Sequence, residues 1–67
     1  MPKFKDLTTE QKRKLLRDEY LSDGAHDDIV DELIPGVGYG YDDYADKIIT
    51  NRLKEVFGYT NDMEVAL

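Results

Sequence analysis

The chain has 67 residues, of which fifteen are acidic, nine are basic, one is histidine and none is cysteine, so its net charge is −6 at pH 7. This length predicts one small domain, residues 1–67, whose core contributes only ~3–5 kcal/mol of stability, and the composition excludes disulfides, thiolate metal sites and histidine-rich metal centres. No apolar run approaches the ~20 residues that span a bilayer, so we expect a cytoplasmic protein that makes no use of a membrane.

The charge is divided unevenly along the chain. Residues 1–17 carry six basic and two acidic side chains, whereas residues 18–67 carry three basic and thirteen acidic ones. Residues 1–7, which include Lys3 and Lys5, are interpreted as a basic N-terminal arm. A split of this kind favours a charged partner or head-to-tail self-association, such as a homodimer in which the basic side of one copy meets the acidic side of another.

The first predicted helix covers residues 9–22. Thr8 is expected to cap it, because Gln11 three residues later completes a capping-box pattern, and Gly24 suits its C-terminal end. Three apolar side chains share one narrow face of this helix: Leu15, Leu16 and Tyr20.

The second predicted helix covers residues 25–34 and stops at Pro35, since the residue before proline is disfavoured in the helical conformation. Ser22 or Asp23 is expected to cap it. Its apolar face consists of Ala25, Ile29, Val30, Leu33 and Ile34. Its opposite face consists of Asp27, Asp28, Asp31 and Glu32. Such a row of carboxylates is either a solvated face or an imitation of nucleic-acid phosphates that captures a basic protein. A calcium site is set aside, because the spacing of these acids lacks the calcium-loop pattern.

The segment "IPGVGYGYDDYAD", residues 34–46, combines glycine, tyrosine and aspartate. Its G-x-G-x-G pattern follows a predicted helix rather than a strand, and the aspartates would repel a phosphate, so we interpret it as a connection between helices rather than a nucleotide loop. Its tyrosines and aspartates are Tyr39, Tyr41, Asp42, Asp43, Tyr44 and Asp46. The tyrosines either cover the core or form an acidic, aromatic docking surface for a basic partner.

The third predicted helix covers residues 42–57 and ends at Gly58. Its apolar positions recur at three- and four-residue spacing: Tyr44, Ala45, Ile48, Ile49, Leu53, Val56 and Phe57. Residues 60–67 are expected to form a short fourth C-terminal helix or a frayed tail. No segment alternates with period two, so the predicted fold class is all-α, a small three-helix bundle.

Two polar residues interrupt the predicted apolar faces. His26 is interpreted as a boundary histidine bound to a tyrosine hydroxyl or a carboxylate, with a metal shared with Asp23 and Asp27 as a weaker alternative. Arg52 is expected to pair with an acid of another helix or, failing that, to anchor an interface. Because no nucleophile or second base accompanies the single histidine, the pattern indicates neither an enzyme nor a cofactor or metal site.

These observations predict a small acidic, non-enzymatic protein-binding module, an inhibitor or adaptor of a basic partner protein. A compositional likeness to accessory and phage-type regulatory proteins supports that class without transferring any residue role. The predicted partner-binding residues are Asp27, Asp28, Asp31, Glu32, Tyr39, Tyr41, Asp42, Asp43, Tyr44 and Asp46. One alternative is a nucleic-acid-binding regulator that uses Lys3, Lys5, Arg13, Lys14 and Arg17. Another is a structural subunit of a larger assembly.

Overall fold

The computed structural model describes residues 1–34 and 42–66, with Asp42 described by its backbone alone. Its helices in chain order are α1 (Thr9–Ser22), α2 (Asp27–Leu33) and α3 (Asp42–Glu55), preceded by a 3-10 turn at Phe4–Asp6. Helix α1 packs against both α2 and α3. The predicted all-α helical class is confirmed, and the described part of the chain contains no strand beyond one antiparallel bridge between Lys3 and Glu64.

Helix α1 begins and ends where the sequence predicts. The Gln11 N–H donates to Thr8 Oγ1 at 3.1 Å, and the Thr8 N–H donates to Gln11 Oε1 at 2.8 Å, so the capping box is complete. Two backbone donors that a helix start leaves without an intrahelical partner are thereby satisfied. At the other end, Gly24 has a φ of 101°, a left-handed conformation that glycine adopts without the steric cost of a Cβ atom.

The core lies between α1, α3 and the two ends of the described chain. Its buried cluster consists of Phe4, Leu7, Leu15, Leu16, Ile34, Ile49, Leu53 and Val65, with Tyr20, Phe57 and Tyr59 packed partly against it. The buried faces are narrower than the predicted apolar faces, because Ile29, Leu33, Tyr44 and Val56 are exposed. A bundle of this size covers only the central stripe of each helix, and the flanking apolar positions stay in solvent.

The predictions of a basic arm at residues 1–7 and of a helix or frayed tail at 60–67 are corrected by the structure. Phe4 is 1% exposed, and its ring stacks on Tyr59 with 5.4 Å between centroids. The Phe4 N–H donates to the Met63 carbonyl at 2.7 Å, and the Val65 N–H donates to the Pro2 carbonyl at 2.9 Å. Residues 60–66 form a turn and an extended segment because their backbone pairs with the N-terminal segment, whose apolar side chains complete the core.

Helices α2 and α3 are shorter than predicted. Ser22 still belongs to α1 and Asp23 is its C-cap, so neither can cap α2, which begins after His26 without a side-chain cap. The Ala25 N–H donates to the Tyr20 carbonyl at 3.0 Å, which places Ala25 in the turn that closes α1 rather than in α2. Helix α3 ends at Glu55, before the predicted residue 57.

Tyr59 joins the C-terminal segment to α1 through its hydroxyl, which donates to Glu19 Oε1 at 2.7 Å. Burial, followed by the hydrogen bond and the negative charge of Glu19, raises the pKa of Tyr59 from 10.0 to about 12. Because the folded pKa lies above the unfolded one, this group's contribution to stability is complete below pH 10 and is lost as the pH rises through about 12.

We expect Tyr59→Phe to lower the free energy of unfolding by about 1 kcal/mol at neutral pH, since Glu19 loses its phenolic donor while the ring packing remains. Urea titrations at neutral and alkaline pH measure this effect, and the difference between the two proteins should shrink as the pH approaches 12. Tyr44→Phe is the control, because Tyr44 is 66% exposed. Equal losses in both variants would contradict a specific role for the Tyr59 hydroxyl.

Candidate partner-binding surface

Helix α2 presents almost all of its side chains to solvent. Only Val30 is buried, at 0% exposure, and the other six of the seven residues are exposed. We call these six exposed residues the α2 surface: Asp27, Asp28, Ile29, Asp31, Glu32 and Leu33. A short helix anchored by one buried valine gives little stability to the domain and leaves most of its area available for contact with another molecule.

The acidic side of the α2 surface is partly balanced by one cation. Arg17 Nη2 lies 3.5 Å from Asp27 Oδ1, and Arg17 Nε lies 3.4 Å from Asp31 Oδ1. The two carboxylate side chains remain 75% and 77% exposed. Bridges between solvent-exposed groups contribute only ~0–1 kcal/mol. Four carboxylates against one guanidinium leave this surface with a charge of −3.

Two aliphatic side chains lie within this acidic surface. Ile29 is 45% exposed and Leu33 is 39% exposed. Within the described residues the backbone of α2 packs against α1 and not against α3, so these side chains stay partly exposed. The α2 surface therefore offers apolar contact area beside a row of carboxylates, and protein interfaces commonly combine apolar and charged groups in this way.

Arg52 holds the end of this helix. Its Nη1 donates to the backbone carbonyl of Leu33 and, at 3.3 Å, to the hydroxyl of Tyr20. Within the described residues it forms no ion pair with an acid, contrary to the first of the two predicted roles. An arginine at the last carbonyls of a helix satisfies acceptors that have no intrahelical donor, so Arg52 ties the C-terminal end of α2 to α3.

The predicted tyrosine and aspartate segment is only partly within the described residues. Tyr39 and Tyr41 lie outside them, as does the side chain of Asp42. Asp43 and Tyr44 lie in the first turn of α3, where both are exposed, Tyr44 at 66%. The structure therefore leaves Tyr44 available as a contact residue and does not use it in the core.

Asp46, also a predicted partner-binding residue, lies instead between α1 and α3. Lys12 Nζ is 2.6 Å from Asp46 Oδ1, and Thr9 Oγ1 donates to the same oxygen at 2.9 Å. Burial raises the pKa of Asp46, but the hydrogen bonds from Lys12 and Thr9 and the charge of Lys12 together outweigh burial and hold it below 3.8. Asp46 therefore stabilises the packing of α3 against α1.

Lys12 is the residue that the sequence analysis overlooked. It is 9% exposed, and its ammonium also donates to Thr50 Oγ1 at 3.0 Å. The available signal was its position three and four residues before Leu15 and Leu16, which places it on the apolar face of α1. A lysine at such a position requires an acidic partner across the helix contact, because an unpaired buried charge is costly.

The five residues of the nucleic-acid alternative do not form one exposed face. Arg13 has a side chain only 13% exposed and donates to Glu10 Oε1 at 2.7 Å, while Arg17 faces the acids of α2. Lys14 is exposed on α1, whereas Lys3 and Lys5 lie in the N-terminal segment beside residues 61–64.

His26 is exposed at the start of α2 and forms no hydrogen bond with the described side chains. Over residues 1–34 and 42–66, no group of three or more histidine or acidic side chains is placed to hold a metal ion. None of the helices in the same ranges combines the length and the apolar character needed to cross a bilayer.

Comparison of the chain with protein-family models, curated proteins and solved structures produced no match, so any function has to be inferred from the surfaces of the molecule.

Proposed function

We propose that this chain is a non-enzymatic protein-binding module whose α2 surface docks onto a basic partner protein. The observation that supports this proposal is the exposure of Ile29 and Leu33 among four carboxylates on one short helix. Exposed apolar positions occur elsewhere in this small bundle too, but on α2 two of them lie beside four exposed carboxylates, an arrangement that suits an amphipathic helix entering a groove on a basic protein.

The two chemical components of the α2 surface contribute differently to binding. The net charge of −3 attracts a basic surface and accelerates the encounter, an effect that weakens as salt screens it. Ile29 and Leu33 then lose water against apolar groups of the partner, which slows dissociation. Exposed Tyr44 adds aromatic contact area that suits arginine and lysine side chains.

The proposed partner is a protein that itself binds nucleic acid. The acids of α2 imitate a run of phosphates, so this chain acts as an inhibitor or adaptor by occupying the partner's basic groove. A competition experiment tests whether the chain occupies the nucleic-acid-binding groove of its partner: added DNA or RNA should displace the chain. If the partner bound this chain and the nucleic acid at the same time, the proposal would be restricted to a basic partner surface that does not bind nucleic acid.

The experiment uses a partner captured from the native host and then purified. We expect Asp28→Lys with Glu32→Lys to slow association by about tenfold at low salt, with the difference fading as salt is added. These positions are chosen because the Arg17 bridges involve Asp27 and Asp31 instead. Stopped-flow fluorescence at several salt concentrations measures the association rate.

The matched control is Glu55→Lys with Glu64→Lys, which changes the net charge equally at exposed sites outside α2. Equal slowing by the control pair would show that overall charge, not the α2 surface, governs association. A second variant, Ile29→Ser with Leu33→Ser, should leave the association rate nearly unchanged and raise the dissociation rate. Unchanged rates in both α2 variants would overturn the proposal. Homodimer formation and a cytoplasmic location, both expected from the sequence, stay predictions.

A further inference from the structure

A groove of about 250 Å³ lies on another part of the molecule, where the N-terminal 3-10 turn, α1, α3 and the turn after Tyr59 meet. Its polar lining includes three lysines and two asparagines but only one acid. These groove residues are Lys5, Lys12, Lys47, Asn51, Asn61 and Asp46. The groove shares no residue with the α2 surface.

The charge of the groove is opposite to that of the rest of the chain. Three ammonium groups and one carboxylate give its lining a charge of +2, and since the whole chain carries −6, the remaining residues carry −8. One of those remaining acids, Asp62, lies 3.5 Å from the Lys5 ammonium, and the two side chains are exposed. Asp46 is already engaged, because its Oδ1 accepts from both Lys12 and Thr9. A concave site of one sign within a surface of the other concentrates small counter-ions of the opposite charge.

Several donors in the groove have capacity for a ligand. Lys12 Nζ carries three protons, and its contacts with Asp46 and Thr50 use two of them. Within the described residues, Lys47 forms no ion pair, and the side chains of Asn51 and Asn61 form no hydrogen bond. The ligand that matches such a set is compact, negatively charged and composed of acceptor oxygens.

We propose that this groove binds the phosphate group of a small phosphorylated molecule. A phosphate monoester supplies two charges and oxygen acceptors for the lysine ammonium groups and the asparagine amides. The groove has room for one phosphate with a small substituent. The −8 on the remainder of the chain repels an extended polyanion, and this favours a small ligand over the backbone of a nucleic acid.

The test is an NMR titration of the ¹⁵N-labelled chain with inorganic phosphate and with phenyl phosphate, each at constant ionic strength maintained with sodium chloride. We expect saturable shifts of the amide signals of Lys47, Thr50, Asn51 and Asn61. We also expect Lys47→Gln to weaken phosphate binding by about fivefold, because it removes a charge from the groove. The matched control is Lys14→Gln, which removes an exposed charge elsewhere and should change binding by less than about twofold.

Each other outcome overturns the proposal. Shifts that rise linearly, or that follow chloride equally, would show an ionic-strength effect and no site. Equal weakening by the Lys47 and Lys14 variants would show attraction to the whole chain and not to the groove. We would assign the groove to nucleic acid if a short oligothymidylate saturated the shifts of the same amides at a lower concentration of phosphate groups than phenyl phosphate does. The circular dichroism spectrum of each variant should match that of the wild type, so that a loss of amide shifts reports lost binding and not unfolding.

Discussion

Phe4→Ala is expected to unfold most of the protein at room temperature. Phe4 is among the largest fully buried side chains, and it stacks on Tyr59 in the middle of the contact between the two ends of the described chain. Truncating a buried phenylalanine costs about 3–5 kcal/mol. The core of a chain this short contributes only ~3–5 kcal/mol in total. Thermal and urea unfolding followed by circular dichroism measure the loss.

Two controls separate core packing from local effects at this position. Phe4→Leu keeps most of the buried volume and should cost less than about 1.5 kcal/mol. Val56→Ala changes a side chain that is 66% exposed and should alter stability by no more than about 0.5 kcal/mol. Wild-type stability of Phe4→Ala would show that the N-terminal segment is a free arm, as its lysines first indicated.

Asp46→Ala is expected to lower the free energy of unfolding by about 2–3 kcal/mol at neutral pH. The change leaves the Lys12 ammonium at the contact between α1 and α3 with Thr50 as its only described partner. Breaking a fully buried ion pair costs about 3–5 kcal/mol. The expected loss is smaller because the Asp46 side chain is 33% exposed and water can partly replace it.

The effect of Asp46→Ala should depend on pH with a defined sign. Lys12 and Thr9 hold the pKa of Asp46 below 3.8 against the opposing effect of burial. Because the folded pKa is lower than the unfolded one, the stabilisation is complete above 3.8 and is lost as the pH falls through the folded pKa. Urea titrations from neutral to acid pH should therefore show the wild type and the variant converging below 3.8.

A double variant, Lys12→Met with Asp46→Leu, provides the control for this pair. Well-packed apolar residues replace a buried ion pair at little cost, so the double variant should recover most of the stability that Asp46→Ala loses. It should also lack the pH dependence described for Asp46. A double variant as unstable as Asp46→Ala would show that the cost comes from lost packing at position 46 and not from the unpaired lysine.

The features of the fold that depend on local sequence were predictable. The α1 capping box requires only Thr8 and Gln11, three residues apart, and the buried positions Leu16 and Leu53 lie on the apolar faces that helical periodicity indicates. The burial of Phe4 and Val65 was not predictable in the same way. Each lies in a short segment without periodicity, and its burial depends on a contact between distant parts of the chain.

The residues predicted for the partner-binding surface also divide into those whose exposure follows from local sequence and those whose role depends on contacts between distant residues. The exposure of Asp28 and Glu32 follows from their position opposite the apolar face of α2. The internal role of Asp46 does not follow from its neighbours in sequence, because its partner Lys12 is in another helix. Arg17 likewise reaches Asp27 and Asp31 only because α1 and α2 pack together. Charge composition predicts how many carboxylates a surface offers, and tertiary contacts decide which of them remain unpaired.

The backbone contacts that join residues 2–5 to residues 61–65 connect positions separated by roughly sixty residues. Phe4 gains its buried contacts only when Tyr59 and Met63 are in place, because its ring stacks on Tyr59 and its N–H donates to the Met63 carbonyl. We expect the contact between these two segments to slow folding, because the entropy lost in joining distant parts of the chain precedes the gain from their contact.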